Sequence, residues 1–186
     1  MKPTLQASIE ACKSGNRAAF QVIYETFLNY AYTLCTRYEV PSSDCRDVLQ
    51  EIFAEVYLSL SKYDASKGAF QYWLRTLAVR TIFAYWKKRK RHNFQSLTLD
   101  ATTSERWSVE LDTRDLDKEH LVKEINALPV GYRTVLNLFV IDGYSHKEIA
   151  QLLNIKEASS RSQLARALRQ LKSILQKKYK LYETIG

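Results

Sequence analysis

The sequence predicts an all-α protein built as two small helical domains joined by an acidic flexible linker. Three observations lead there. Apolar residues recur at helical spacing along most of the 186 residues, as at positions 20, 23, 27 and 31. Only five glycines and three prolines are present, too few turn signals for a multi-stranded sheet. The helical pattern lapses in one long stretch, residues 93–113, where Ser, Thr and acidic side chains take over. The expected domains are therefore residues 1–92 and 114–186, and 46% hydrophobic content is enough for each to hold a core.

Taken in order, Leu5 to Lys13 reads as a short amphipathic helix closed by Ser14-Gly15-Asn16. A second helix runs from about Arg17 to Tyr38, with Phe20, Ile23, Tyr24, Phe27, Tyr30, Ala31, Leu34 and Cys35 on one side. Pro41-Ser42-Ser43-Asp44 separates it from a third, which extends to about Ser61. One face of that third helix is lined by Cys45, Val48, Leu49, Ile52, Phe53, Val56, Tyr57 and Leu60. Its other face carries Asp47, Gln50, Glu51, Ala54 and Leu58, a pattern that fits either a docking site for a basic protein helix or an ordinary solvated surface.

Lys62 to Ala69 is a loop, and a long helix follows from Phe70 to about Arg91. At 100° per residue, Phe70, Trp73, Leu74, Leu77, Ala78, Ala84 and Tyr85 fall on one face, and Tyr72, Thr76, Val79, Phe83 and Trp86 on the other. Arg75, Arg80 and Lys87 flank this second face. Two apolar sides fit burial between layers, or aromatics set among cations to stack on unpaired bases. The closing run Lys87-Lys88-Arg89-Lys90-Arg91 fits a phosphate clamp, a localisation signal or a solvated end equally well. Trp107 and Leu111 are expected to tack the linker onto a domain surface.

In the second domain a helix runs from Arg114 to Leu128, Pro129 interrupts it, and another spans Tyr132 to Ile141. Asp142-Gly143 then supplies a turn. Ser145 and Glu148 stand in the S-x-x-E order of a capping box. Ile149, Ala150, Leu152 and Leu153 form the buried face of the capped helix, which breaks at Asn154 to Lys156. Ala158, Ser159 and Ser160 open a further helix with Leu164, Ala167, Leu168 and Leu171 inward, and Arg161, Ser162, Gln163, Ala165, Arg166 and Arg169 outward. This is the layout of a helix-turn-helix, whose small residues let the backbone approach a groove while arginine and glutamine pair with base edges. A solvated basic hairpin has the same pattern. Lys177-Lys178-Tyr179-Lys180 is a basic tail.

Charge distribution bears on that choice. The formal net charge is +8. Residues 1–92 hold 14 Lys and Arg against 8 Asp and Glu, residues 93–128 hold 4 against 8, and residues 129–186 hold 10 against 4. Two basic blocks around an acidic strip suit a protein that grips a polyanion at two places. Membrane insertion is not expected, because no stretch is apolar for long enough and no signal peptide opens the chain. Cys12, Cys35 and Cys45 lack metal-ligand spacing and read as reduced, partly buried thiols of a cytoplasmic protein. No phosphate-cradling glycine loop, metal site or nucleophile–base pair stands out, so neither an enzyme nor a cofactor is expected.

The motifs LPVGYRTVLNLFVIDGYSHKEIAQLLNI and S-x-x-S-x-L-x-RA from Ser159 to Ala167, with DVLQEIFAEVYLSLSKYD and KGAFQYWLRTLA before them, resemble the extracytoplasmic-function (ECF) group of bacterial RNA polymerase sigma factors. The resemblance covers nearly the whole chain. It implies a sigma-2-like bundle for residues 1–92 and a sigma-4-like helix-turn-helix domain for residues 114–186. Core RNA polymerase and promoter DNA are the implied partners, with an anti-sigma factor as a candidate third. Asp47, Gln50 and Glu51 match the surface that docks on the clamp coiled coil of the largest polymerase subunit.

By the same resemblance, the loop from Asp64 to Ala69, with Ser66 and Lys67, matches the loop that captures a flipped base of the minus-10 element. Arg75, Arg80, Lys87, Lys88 and Arg89 sit where the family contacts that element and its phosphates. Arg161, Ser162, Ala165 and Arg166 match the positions that read the minus-35 element in the major groove. The chain departs from the family pattern at Arg80, where asparagine is frequent, at Ala84, where aspartate is common, and at Ser160 and Leu168, which replace an aliphatic residue and an arginine. The competing expectation is a helix-turn-helix regulator that acts without polymerase, in which case the acidic face is idle.

Overall fold

A computed structural model describes residues 4–93 and 118–179, and every regular element among them is helical. The chain divides into two compact units, Met1–Phe94 and Gln95–Gly186. Beyond Asn93, the linker expected over 93–113 lies outside the described residues, as do Trp107, Leu111 and Lys180.

In the first unit, α1 (Leu5–Lys13) has the expected bounds. Thr4 caps it, its Oγ1 accepting from the Ala7 amide at 3.3 Å. A 3₁₀ turn over Arg17–Ala19, capped by Asn16, leads into α2 (Phe20–Arg37). Next come α3 (Ser42–Ser59), two 3₁₀ turns at Leu60–Lys62 and Ala65–Lys67, and α4 (Phe70–Asn93). Helices α2, α3 and α4 pack pairwise on one another, and α1 packs on α2. The buried set includes Ile23 and Leu34 from α2, Ile52 from α3, and Leu74 and Ile82 from α4. Each such side chain stabilises the fold by about 1.5–3 kcal/mol, against about 0–1 kcal/mol for an exposed ion pair. Apolar packing therefore holds this unit together.

The buried stripe of α4 draws on both of its expected apolar faces: Val79 of the second face is buried together with Phe70, Leu74 and Ala78 of the first, whereas Ala84 of the first face is exposed. The buried stripe runs Phe70, Leu74, Ala78, Val79 and Ile82. Because α2 and α3 both lie against the helix, its apolar arc is broad enough to take in Val79, whereas alanine has little surface to gain from burial. The far end of α4 is tied down by polar contacts. Trp86 Nε1 donates to the Tyr38 carbonyl at 3.0 Å, and Tyr85 Oη and Arg89 both reach the carboxylate of Asp44 in the first turn of α3.

All three cysteines are free and buried rather than partly buried. Burial pushes the Cys35 thiol up to about 12, and Cys45 beside it adds to the shift. Neither thiol is poised as a nucleophile.

In the second unit, α5 (Lys118–Asn126) and α6 (Val130–Leu136) flank Pro129, and α6 passes into a π-helical turn over Asn137–Ile141. Helix α7 (His146–Leu153) and the long α8 (Glu157–Tyr179) follow. Helices α5, α6 and α7 all pack on α8. At its far end, Lys178 Nζ lies 3.0 Å from both carboxylate oxygens of the buried Glu124. The inward stripe of α8 is Ser160, Gln163, Leu164, Ala167, Leu171 and Leu175. Gln163, expected outward, is only 5% exposed, because it stands three residues after Ser160 and four before Ala167 on the same side.

Candidate nucleic-acid interface and acidic docking face

Two positions with left-handed backbone shape the helix-turn-helix. Gly143, at φ +75°, turns the chain after the π-helical segment, and Asn154, at φ 55°, closes α7. Glycine and asparagine tolerate this region best. Between them the capping box forms as the sequence predicts. The Glu148 amide donates to Ser145 Oγ at 3.3 Å, and the Glu148 carboxylate accepts from the Ser145 amide at 2.8 Å. A cap of this kind is worth about 0.5–2 kcal/mol and marks where α7 begins.

Helix α8 presents Arg161, Ser162, Ala165, Arg166 and Arg169 away from its buried stripe. Arg161 and Arg169 are exposed, and Ser162, Ala165 and Arg166 are half-buried. Arg161 pairs with Glu157 one turn earlier. The pairing was visible in the sequence as a Glu and an Arg four apart, yet Glu157 was not among the expected site residues. His146, the first residue of α7, was not among them either. Its ring stacks on Phe139 of the π-helical turn, with centroids 4.4 Å apart and planes 20° apart, and its Nδ1 lies 2.9 Å from Ser160 Oγ.

In the first unit, Asp47, Gln50, Glu51, Ala54 and Leu58 are all exposed, and Asp47, Glu51, Ala54 and Leu58 follow one another at three- and four-residue steps along α3 with Gln50 beside them. Leu58 is 73% exposed. The face thus pairs two carboxylates with an uncovered leucine, a combination suited to a partner that is both basic and apolar.

The segment from Tyr63 to Phe70 is more ordered than a plain loop. Asp64 Oδ1 accepts from the amide and the hydroxyl of Ser66, at 3.0 and 2.7 Å, and these bonds hold its carboxyl below the usual carboxylate range, with Lys67 and Lys13 adding to the effect. Tyr63 Oη donates to the Gly68 carbonyl at 3.1 Å, and the Lys13 ammonium lies 5.4 Å from the Tyr63 ring. Asp64, Ser66 and Lys67 are exposed on this preformed turn.

The expected minus-10 residues on α4 have unequal surroundings. Arg80 and Lys87 are exposed, and the half-buried Arg75 lies over the ring of Tyr72, which is 59% exposed, at 5.1 Å. Lys88 reaches Glu51 of the acidic face at 3.7 Å. Arg89, which is exposed, pairs with Asp44 of α3 and with Tyr85 one turn earlier on its own helix. The sequence gives no sign of the Lys88–Glu51 and Arg89–Asp44 pairings, because the partners are far apart along the chain. The side chains of Lys90 and Arg91 lie outside the described residues. Among the described residues no group of three or more His, Cys, Asp or Glu is placed to hold a metal ion, and no helix is long and apolar enough to cross a membrane.

Comparison with known proteins bears directly on this pair of units. Residues 23–92 match the family Sigma-70 region 2, and residues 119–171 match Sigma-70, region 4. An ECF RNA polymerase sigma-E factor of Haemophilus influenzae is 30% identical, with 93% of this chain and 96% of the relative covered. The chain belongs to the ECF RNA polymerase sigma factors.

Two further ECF sigma factors extend the match. SigM of Bacillus subtilis is 30% identical, covering 82% of this chain and 92% of its own. The sigma-E factor of Escherichia coli is 27% identical, covering 88% and 90%. Among solved structures, the sigma factor RpoE of Bartonella quintana, in complex with the anti-sigma factor NepR, aligns at a TM-score of 0.49 and 18% identity over 86% of this chain and 98% of that one. In this sigma factor the region 2 match spans α2 to α4, and the region 4 match ends at Leu171, within α8. The acidic face, the Tyr63–Phe70 turn and the outward side of α8 all fall inside matched residues.

Proposed function

We propose that this sigma factor binds core RNA polymerase through the α3 face of Asp47, Gln50 and Glu51, and directs it to promoters read at two elements. In this reading Asp64, Ser66 and Lys67 cradle a base taken out of the minus-10 stack. That step costs a few kcal/mol and benefits from a turn that is already formed. Arg75, Arg80, Lys87, Lys88 and Arg89 track the phosphates and the opened strand beside it. Arg161, Ser162, Ala165 and Arg166 read the minus-35 element in the major groove, where one bidentate arginine–guanine pair gives about 1–3 kcal/mol of discrimination. The work is binding and strand opening, carried out in the cytoplasm without covalent chemistry of the chain's own. Residues 1–92 and 114–186 act as the two domains, with 93–113 between them, and an anti-sigma factor is the partner that withholds the chain from core.

The observation that carries this reading is the presence of both sigma-70 regions, in order, on one chain. A regulator acting without polymerase needs only the second. The test is run-off transcription on fragmented host genomic DNA, using core polymerase with and without the purified protein, followed by sequencing of RNA 5′ ends. The expected result is a new set of starts that share two spaced upstream elements. If no starts appear and the chain does not bind core, the polymerase-free regulator takes the place of this reading.

A further inference from the structure

The contacts of His146 join three elements at the end of the helix-turn-helix where Arg161 stands. The ring belongs to the first turn of α7, and it is clasped on one face by Phe139 from the π-helical turn. Its Nδ1 meets the hydroxyl of Ser160, which is 0% exposed and immediately precedes Arg161 in the first turns of α8. A hydroxyl both donates and accepts, so either tautomer of the neutral ring satisfies the contact. The stacked phenyl and the buried hydroxyl together fix the position and orientation of the ring, and through it one point near the start of α8. That point sits beside the residues assigned to base reading, and a π-helical segment is an irregularity that recurs at functional sites.

We propose that His146 is a positioning residue for minus-35 recognition: through Ser160, with Phe139 behind it, it sets the angle at which α8 presents Arg161 and Ser162 to the groove. This rests on the assignment of α8 to the minus-35 element made above. Bidentate pairing needs both donors of a guanidinium in register with two base acceptors, and a small rotation of the first turns of α8 shifts that register without changing the charge on the helix. The proposal therefore separates specificity from affinity. Loss of the His146–Ser160 contact flattens the preference for the correct minus-35 bases and leaves nonspecific attraction to phosphates in place.

The test uses the full chain with core polymerase. His146→Phe, Ser160→Ala, the double variant and His146→Gln are each assayed on a template with the preferred minus-35 element, on templates changed at single minus-35 positions, and on a template already melted at minus 10 that lacks the minus-35 element. The expected result for His146→Phe and Ser160→Ala is a fall of about three- to tenfold in discrimination among minus-35 variants, the range of one net hydrogen bond. Transcription from the pre-melted template should be unchanged. The double variant should be no worse than either single, and His146→Gln, which keeps a hydrogen-bonding side chain, should recover most of the discrimination.

Four outcomes overturn the inference. They are unaltered discrimination in His146→Phe and Ser160→Ala, losses that add in the double variant, losses of equal size on the pre-melted template, and no recovery by glutamine. If the unmodified chain shows no minus-35 preference at all, the assignment of α8 fails first and the inference falls with it. Circular dichroism melts of each variant separate loss of fold from loss of register.

Discussion

At the scale of single residues, His146 also has a titration that the fold controls. Burial pushes its imidazole below the ordinary value, Arg161 pushes the same way, and Glu157 opposes them. Phe139, on the stacked face, brings no charge. A histidine whose folded pKa lies below its unfolded value favours the native state while neutral. Its contribution is complete above the unfolded pKa of about 6.5 and is lost as pH falls below that through the folded value. The Tm of the unmodified chain should therefore drop further between pH 7.5 and 5.5 than the Tm of His146→Gln, as followed by circular dichroism. Equal slopes would mean that the burial of the ring has no bearing on stability. Asp44 and Asp64 behave in the opposite sense at lower pH. Both carboxyls are held down, Asp44 chiefly by hydrogen bonds from Ser43 and Tyr85 and then by Arg89, so what they contribute persists at neutral pH and is lost on acidification.

At the scale of helices, the exposed stripe on α3 is the clearest candidate for a protein contact. Replacing Gln50 and Glu51 together by alanine should weaken binding to core polymerase by about fivefold or more, if each lost contact is worth the usual 0.5–1.5 kcal/mol. The helix content and Tm should stay as they are, since both side chains are exposed. Fluorescence titration of labelled protein with core measures this, and unchanged affinity would remove these two residues from the docking surface. Features set by near neighbours were legible in the sequence. The bounds of α1, the Ser145–Glu148 capping box and the outward row from Asp47 to Leu58 depend on residues three or four apart, and the local pattern carries them. Features that depend on what lies across the bundle were not. Gln163 lies under the domain surface rather than over it, and Arg89, though exposed, pairs with Asp44 of another helix. The linkage of His146 to Ser160 spans two helices, and no periodicity announces it.

At the scale of the whole molecule, the basic excess is concentrated in residues 1–92 and 129–186, and the linkage of promoter binding to salt should reflect this. Arg80→Ala combined with Lys87→Ala should lower the slope of log affinity against log salt by about 2 for the holoenzyme on promoter DNA, close to one per phosphate contact removed. Filter binding between low and moderate salt reads this directly. An unaltered slope would place both side chains away from the phosphates. Lys88 is expected to contribute less than its charge suggests, because Glu51 already stands 3.7 Å from it.

The separation of the two sides of α8 has a consequence for redesign. Ser160, Leu164, Ala167, Leu171 and Leu175 build the domain, while Arg161, Ser162, Ala165, Arg166 and Arg169 face away from it. The second set can be randomised as a library while the first is left intact. Promoter preference thus becomes a property to be selected for, with the buried core of the domain left untouched by the library.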